Sequence, residues 1–66
     1  MSYETLEIQR DGGVVTIWMN RPDVHNAFNA QLIADLTAAC RALDADDTVR
    51  AVVLAGRGKS FSAGAD

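Results

Sequence analysis

The stretch GRGKSFSAGAD, residues 56–66, concentrates residue types that can do chemistry. Its glycines, lysine and serines raise three options: a phosphate cradle, a serine nucleophile, or a loop that works through its backbone. The phosphate option fails on spacing. A G-x-x-x-x-G-K-[ST] loop ending at Gly58-Lys59-Ser60 needs glycine at position 53, where Val53 stands inside an apolar run. The pair Gly56 and Gly58 fails as a dinucleotide fingerprint too, because the third glycine would fall at Phe61. Ser60 and Ser62 fit no G-x-S-x-G elbow, and nothing in the sequence brings His25, the one histidine, to either serine.

The backbone remains. Ala63-Gly64-Ala65 carries almost no side-chain chemistry. Small residues let a ligand approach the main chain, and glycine permits conformations that expose N–H groups. Such N–H groups stabilise negative charge developing on a carbonyl oxygen. On composition alone, a small-residue loop with no function stays an open alternative.

The elements that position this loop are legible by pattern. Tyr3 to Arg10 alternates as a strand does, Asp11-Gly12-Gly13 suits a hairpin turn, and Val14 to Asn20 (VVTIWMN) is rich in β-branched and aromatic residues. Pro22 ends that strand, and a loop runs to Asn29, a residue suited to cap a helix. Leu32, Ile33, Leu36, Ala39, Cys40 and Leu43 recur at helical spacing, which predicts a helix from Ala30 to Asp44 or Ala45 with these residues on its core face. Cys40 reads as core filler. After a turn at Asp46-Asp47-Thr48, Val49 to Ala55 (VRAVVLA) reads as a strand buried on both faces. Strand, helix, strand implies a right-handed crossover with parallel pairing. The loop thus leaves the C-terminal end of a strand, where ligands of open α/β sheets sit. Trp18 packs in the second strand and its indole N–H needs a partner. Arg57 and Lys59 are exposed loop cations within reach of a phosphate.

Composition narrows the class. A chain of 66 residues, 48% hydrophobic, with one cysteine and no Cys/His cluster, has neither disulfide nor zinc to offset a small core. It is expected to be an N-terminal piece of a larger domain, inactive by itself. A net charge of −3 with scattered acids argues against a nucleic-acid binder. No apolar run approaches the roughly 20 residues of a membrane span. The N-terminus lacks the basic flank and apolar stretch of a signal peptide, so a cytoplasmic location is expected.

Taken together, Met19-Asn20-Arg21-Pro22, Asn26-Ala27-Phe28-Asn29 and the loop from Gly56 to Asp66 resemble the N-terminal part of the crotonase family, the enoyl-CoA hydratases and isomerases. The resemblance covers nearly the whole chain and about the first quarter of a typical member. It implies an α/β fold, a spiral of ββα units, of which residues 1–66 supply hairpin, helix, strand and active-site loop. It implies trimers or hexamers and acyl-CoA thioester substrates. It also implies a pair of backbone N–H groups that hold the thioester oxygen. Ala65 would supply the first; the second, from a glycine, and the acid/base glutamates would lie downstream. Ala63, Gly64, Ala65 and Asp66 would line the CoA path, and Val24, His25 and Ala27 would flank the pantetheine arm. Asp66 would order the loop rather than act as base. Coenzyme A enters as part of the substrate, with no metal or other cofactor implied. Asp23-Val24-His25 departs from the commoner Lys-Ala-Leu and removes a phosphate partner; Phe28 replaces the commoner leucine. The implied reaction is hydration of a 2-enoyl-CoA. The alternatives are an isomerase, a dehalogenase or thioester hydrolase of the same family, or a non-catalytic α/β assembly module.

Overall fold

The computed structural model describes residues 3–59, 61, 62 and 64. Among them run strand β1 (Leu6–Asp11), strand β2 (Val14–Met19), a 3-10 turn (Pro22–Val24), helix α1 (Ala30–Asp44) and strand β3 (Ala51–Gly56). The sheet order is β1-β2-β3. β1 and β2 form an antiparallel hairpin in which Asp11 pairs with Val14. Its two-residue turn, Gly12-Gly13, works because Gly12 takes φ 60° without steric penalty. β2 pairs with β3 in parallel, from Val14 with Ala51 to Met19 with Gly56. β1 starts three residues later than its alternation suggests, because the backbone from Tyr3 to Thr5 turns toward the helix.

The alternation of β2 sorts its faces. Val15, Ile17 and Met19 are buried, and Ile17 and Met19 form a core with Leu6, Leu32 and Ala39, flanked by Tyr3, Phe28, Leu36 and Leu43. The opposite face carries Trp18, whose indole N–H donates to Gln9 Oε1 at 3.0 Å. Arg57 lies 4.0 Å over the indole ring, and its Nη2 donates to Glu7 Oε2 at 2.8 Å. The Arg57 guanidinium is therefore already engaged by an aromatic face and a carboxylate.

Helix α1 has the expected bounds and the expected cap: Asn29 Oδ1 accepts the Leu32 N–H at 2.9 Å. Its buried face is narrower than the apolar stripe. Leu32 and Ala39 are buried and Leu36 and Leu43 half-buried, whereas Ile33 is 54% exposed and Cys40 is exposed, so Cys40 is not core filler in this chain. A polar residue, Asp35, is buried instead. Its Oδ2 accepts the Thr5 hydroxyl at 2.7 Å and the Thr5 N–H at 3.0 Å, and its Oδ1 accepts from Gln31 at 2.8 Å. The Thr5 hydroxyl is the foremost reason that the Asp35 carboxyl titrates below its ordinary value.

β3 also departs from its pattern. Val52, Val53 and Leu54 remain 48, 47 and 43% exposed, where a strand buried on both faces was expected. The sheet order makes β3 an edge, and the core gathers where α1 meets β1 and β2. An apolar run records what a strand is suited to lie beneath; it does not guarantee that the cover belongs to the same 66 residues. Among the described residues, no helix is long and apolar enough to cross a membrane.

Candidate active site

Parallel pairing brings the C-terminal ends of β2 and β3 side by side, at Met19 and Gly56. Two loops leave from there, residues 20–29 and the described residues that follow Gly56 (57–59, 61, 62 and 64), and a bond from Arg57 N–H to the Met19 carbonyl (2.9 Å) starts them together. The first loop turns tightly. The N–H groups of Val24 and Asn26 donate to the Arg21 carbonyl at 3.2 and 2.8 Å, and His25 and Asn26 sit in the left-handed region at φ 53° and 55°. Asparagine tolerates that region better than most residues with a Cβ.

Asn26 joins the two loops. Its residue exposure is 0%, so each polar atom needs a partner. Oδ1 accepts the Arg21 N–H at 2.8 Å within its own loop. Nδ2 donates to the Arg57 carbonyl at 2.8 Å in the second loop. Its main-chain carbonyl accepts the Ser62 hydroxyl at 3.0 Å, and the same Ser62 oxygen accepts the Gly64 N–H at 3.1 Å. The circuit closes where Phe28 N–H donates to the Gly64 carbonyl at 2.7 Å. Arg21 braces the first loop through a bond from Nη1 to the Ala27 carbonyl.

Gly56, at the end of β3, and Gly58, in the second loop, are demanded by contact. A Cβ on Gly56 would lie 2.6 Å from the Phe61 carbonyl oxygen and 2.9 Å from Asn26 Nδ2. At Gly58 the φ of 86° and a 2.7 Å approach of Pro22 Cβ both exclude a side chain. Gly56 and Gly58 therefore let the loops lie against each other.

Of the residues expected to bind substrate, Val24 and His25 are exposed on the first loop and Ala27 is buried beside Asn26. Gly64 is exposed, with its carbonyl bound by Phe28. Ala63, Ala65 and Asp66 lie outside the described residues. Asn26 was expected within the loop flanking the pantetheine arm, but its bridging role was not, nor was any site role for Ser62. The available signal was the polar His25-Asn26 pair ahead of the helix cap, which composition does not tell from a solvated turn. A surface hollow of about 330 Å³ lies elsewhere, between the end of α1 and the start of β3 at Cys40, Leu43, Val49 and Val52. Among the described residues, no group of three His, Cys, Asp or Glu residues is placed to hold a metal ion.

Two loops joined by hydrogen bonds beyond parallel strand ends mark this as a segment of an α/β protein. Residues 9–66 match the model of the enoyl-CoA hydratase/isomerase family, and the chain belongs to that family, the crotonases. It is 54% identical over 66 residues to a probable enoyl-CoA hydratase of Rhizobium meliloti, covering 100% of this chain and 26% of that protein. It is 44% identical over 61 residues to 4-chlorobenzoyl coenzyme A dehalogenase-2 of an Arthrobacter species, covering 92% of this chain and 22% of that protein. Among solved structures, an enoyl-CoA hydratase/isomerase from Mycobacterium paratuberculosis superposes with a TM-score of 0.95 at 39% identity, over 100% of this chain and 26% of that one. The chain thus spans about a quarter of the length of these relatives.

Proposed function

We propose that this chain is the N-terminal segment of a single crotonase-type domain and that the complete protein hydrates a 2-enoyl-CoA thioester. The observation that carries the reading is the hydrogen-bonded seam from Asn26 through Ser62 and Gly64 to Phe28, which holds the end of the second loop against the first. A main chain held this firmly can present a donor without reorganising during reaction, the condition under which an oxyanion site is effective. The Ala65 N–H is that donor, paired with a second N–H from the rest of the protein. Together they polarise the thioester carbonyl, and water adds across the conjugated double bond while downstream carboxylates move the protons. Ala63 to Asp66 line the CoA path, with Asp66 ordering the loop, and Val24, His25 and Ala27 flank the pantetheine arm. CoA is part of the substrate and no further cofactor enters. The complete protein assembles as a trimer or hexamer in the cytoplasm.

Hydration is the reading supported by 54% identity to a probable enoyl-CoA hydratase, and the carboxylates that would separate it from dehalogenation or isomerisation belong to the rest of the protein. The complete protein should consume crotonyl-CoA, read as loss of the conjugated thioester's ultraviolet absorbance. Tight binding of crotonyl-CoA without turnover would favour an acyl-CoA binding module, and turnover only of an isomerisable or halogenated thioester would move the reaction within the family.

A further inference from the structure

We propose that Asn26 is a positioning residue for the backbone donor of the second loop, acting through Ser62. The inference rests on the reading of the Ala65 N–H as the oxyanion donor. Asn26 is buried, holds a left-handed φ of 55°, and uses both ends of its amide, Oδ1 on the Arg21 N–H and Nδ2 on the Arg57 carbonyl. Its amide side chain thereby fixes the start of the second loop against the first. Its own carbonyl fixes the end of that loop through the Ser62 hydroxyl, which in turn takes the Gly64 N–H. The Gly64 carbonyl is held from its other side by Phe28 N–H. A carbonyl and the N–H that follows it in the chain share one rigid plane. Whatever fixes the Gly64 carbonyl therefore also sets the direction of the next donor. No side chain in this circuit needs to touch substrate; its function is to hold the two peptide planes that meet at Gly64, one by its N–H through Ser62 and the other by its carbonyl through Phe28.

The test uses the complete protein and the Asn26→Asp variant. Aspartate is close in shape and can still accept from Arg21, but its second oxygen faces the Arg57 carbonyl, acceptor against acceptor. Unfolding in urea reports stability. Steady-state kinetics on crotonyl-CoA, per folded enzyme, separate kcat from KM. The infrared band of bound butyryl-CoA carrying carbon-13 at the thioester carbonyl reports polarisation directly. The parent should lower that band's frequency. Asn26→Asp should lose much of the displacement and lower kcat by roughly 10- to 100-fold, the scale of a misplacement of about 1 Å, with a smaller change in KM. An Asn26→Asp enzyme with parental band and kcat would overturn the proposal. Should that variant fail to fold, Ser62→Ala, which removes one hydroxyl, decides: a weakened band displacement with reduced kcat supports the circuit, and parental values overturn it. A parent that leaves the carbonyl band unmoved would refute the oxyanion reading itself, and the positioning role with it.

Discussion

Gly56→Ala isolates the contact between the two loops with a single methyl group. Gly56 is not among the positive-φ residues, so its backbone admits alanine. Restricting the unfolded chain would then stabilise the protein by about 0.4–1 kcal/mol. The contact works the other way. The new Cβ would meet the Phe61 carbonyl oxygen at 2.6 Å and Asn26 Nδ2 at 2.9 Å, distances that real Cβ atoms do not sustain. The first of these is backbone, which cannot swing aside as a side chain can. Overpacking of this kind costs about 1–3 kcal/mol, so the net expectation is a loss of about 1–2 kcal/mol after the entropic gain. Urea unfolding of the complete protein should show the lower midpoint with an unchanged slope. Turnover of crotonyl-CoA should fall as well, because the same methyl displaces the amide that holds the loop. Gly13→Ala is the control: its Cβ would meet only the aliphatic carbons of the Arg50 side chain, at 3.0–3.3 Å, which can shift. A Gly56→Ala protein as stable and active as its parent would refute the claim that the loops are pressed together at this point.

Further perturbations probe separate parts of the structure. Asn29→Ala removes the acceptor of the Leu32 N–H and should destabilise the protein by about 1 kcal/mol in urea unfolding, while Asn29→Asp should be nearly silent. Asp46 has its carboxyl lowered from 3.8 to about 2, first by the Thr48 hydroxyl and then by the Thr48 N–H and Arg10. A lowered folded-state value means that the contribution is full above about pH 4 and is lost as pH falls toward 2. Midpoints measured from pH 5 to 2 should therefore fall less for Asp46→Asn than for the parent over that window; parallel curves would contradict the assignment. Ala65→Pro deletes the proposed donor and should lower kcat on crotonyl-CoA by roughly 10²- to 10³-fold, equivalent to about 2.7–4 kcal/mol, in a protein that circular dichroism shows to be folded.

What could be read in the sequence follows from where the determining forces lie. Helix α1 was legible to within a residue because its cap, Asn29, and its periodicity are local. The hairpin was legible because Gly12-Gly13 satisfies a local turn requirement. Burial was less so. Cys40 and Ile33 share the helical stripe with Leu32, yet only Leu32 meets the sheet, because a stripe is wider than the surface available to cover it. Val52 to Leu54 have the composition of a covered strand and the position of an edge. Gly56 and Gly64 were expected as part of a motif, but the reason for Gly56 was not, since it depends on Phe61 and Asn26 lying within 3 Å of where its Cβ would stand. The bridging role of Asn26 escaped notice because its partners, Arg57 and Ser62, are 31 and 36 residues away in the chain. No local pattern records such a contact.

The most direct measurement is a crystal structure of the complete protein with butyryl-CoA bound. The account predicts the thioester oxygen about 2.7–3.1 Å from the Ala65 nitrogen, with a second backbone N–H at similar range. An Ala65 N–H bonded to a main-chain acceptor, with the thioester oxygen held elsewhere, would contradict it.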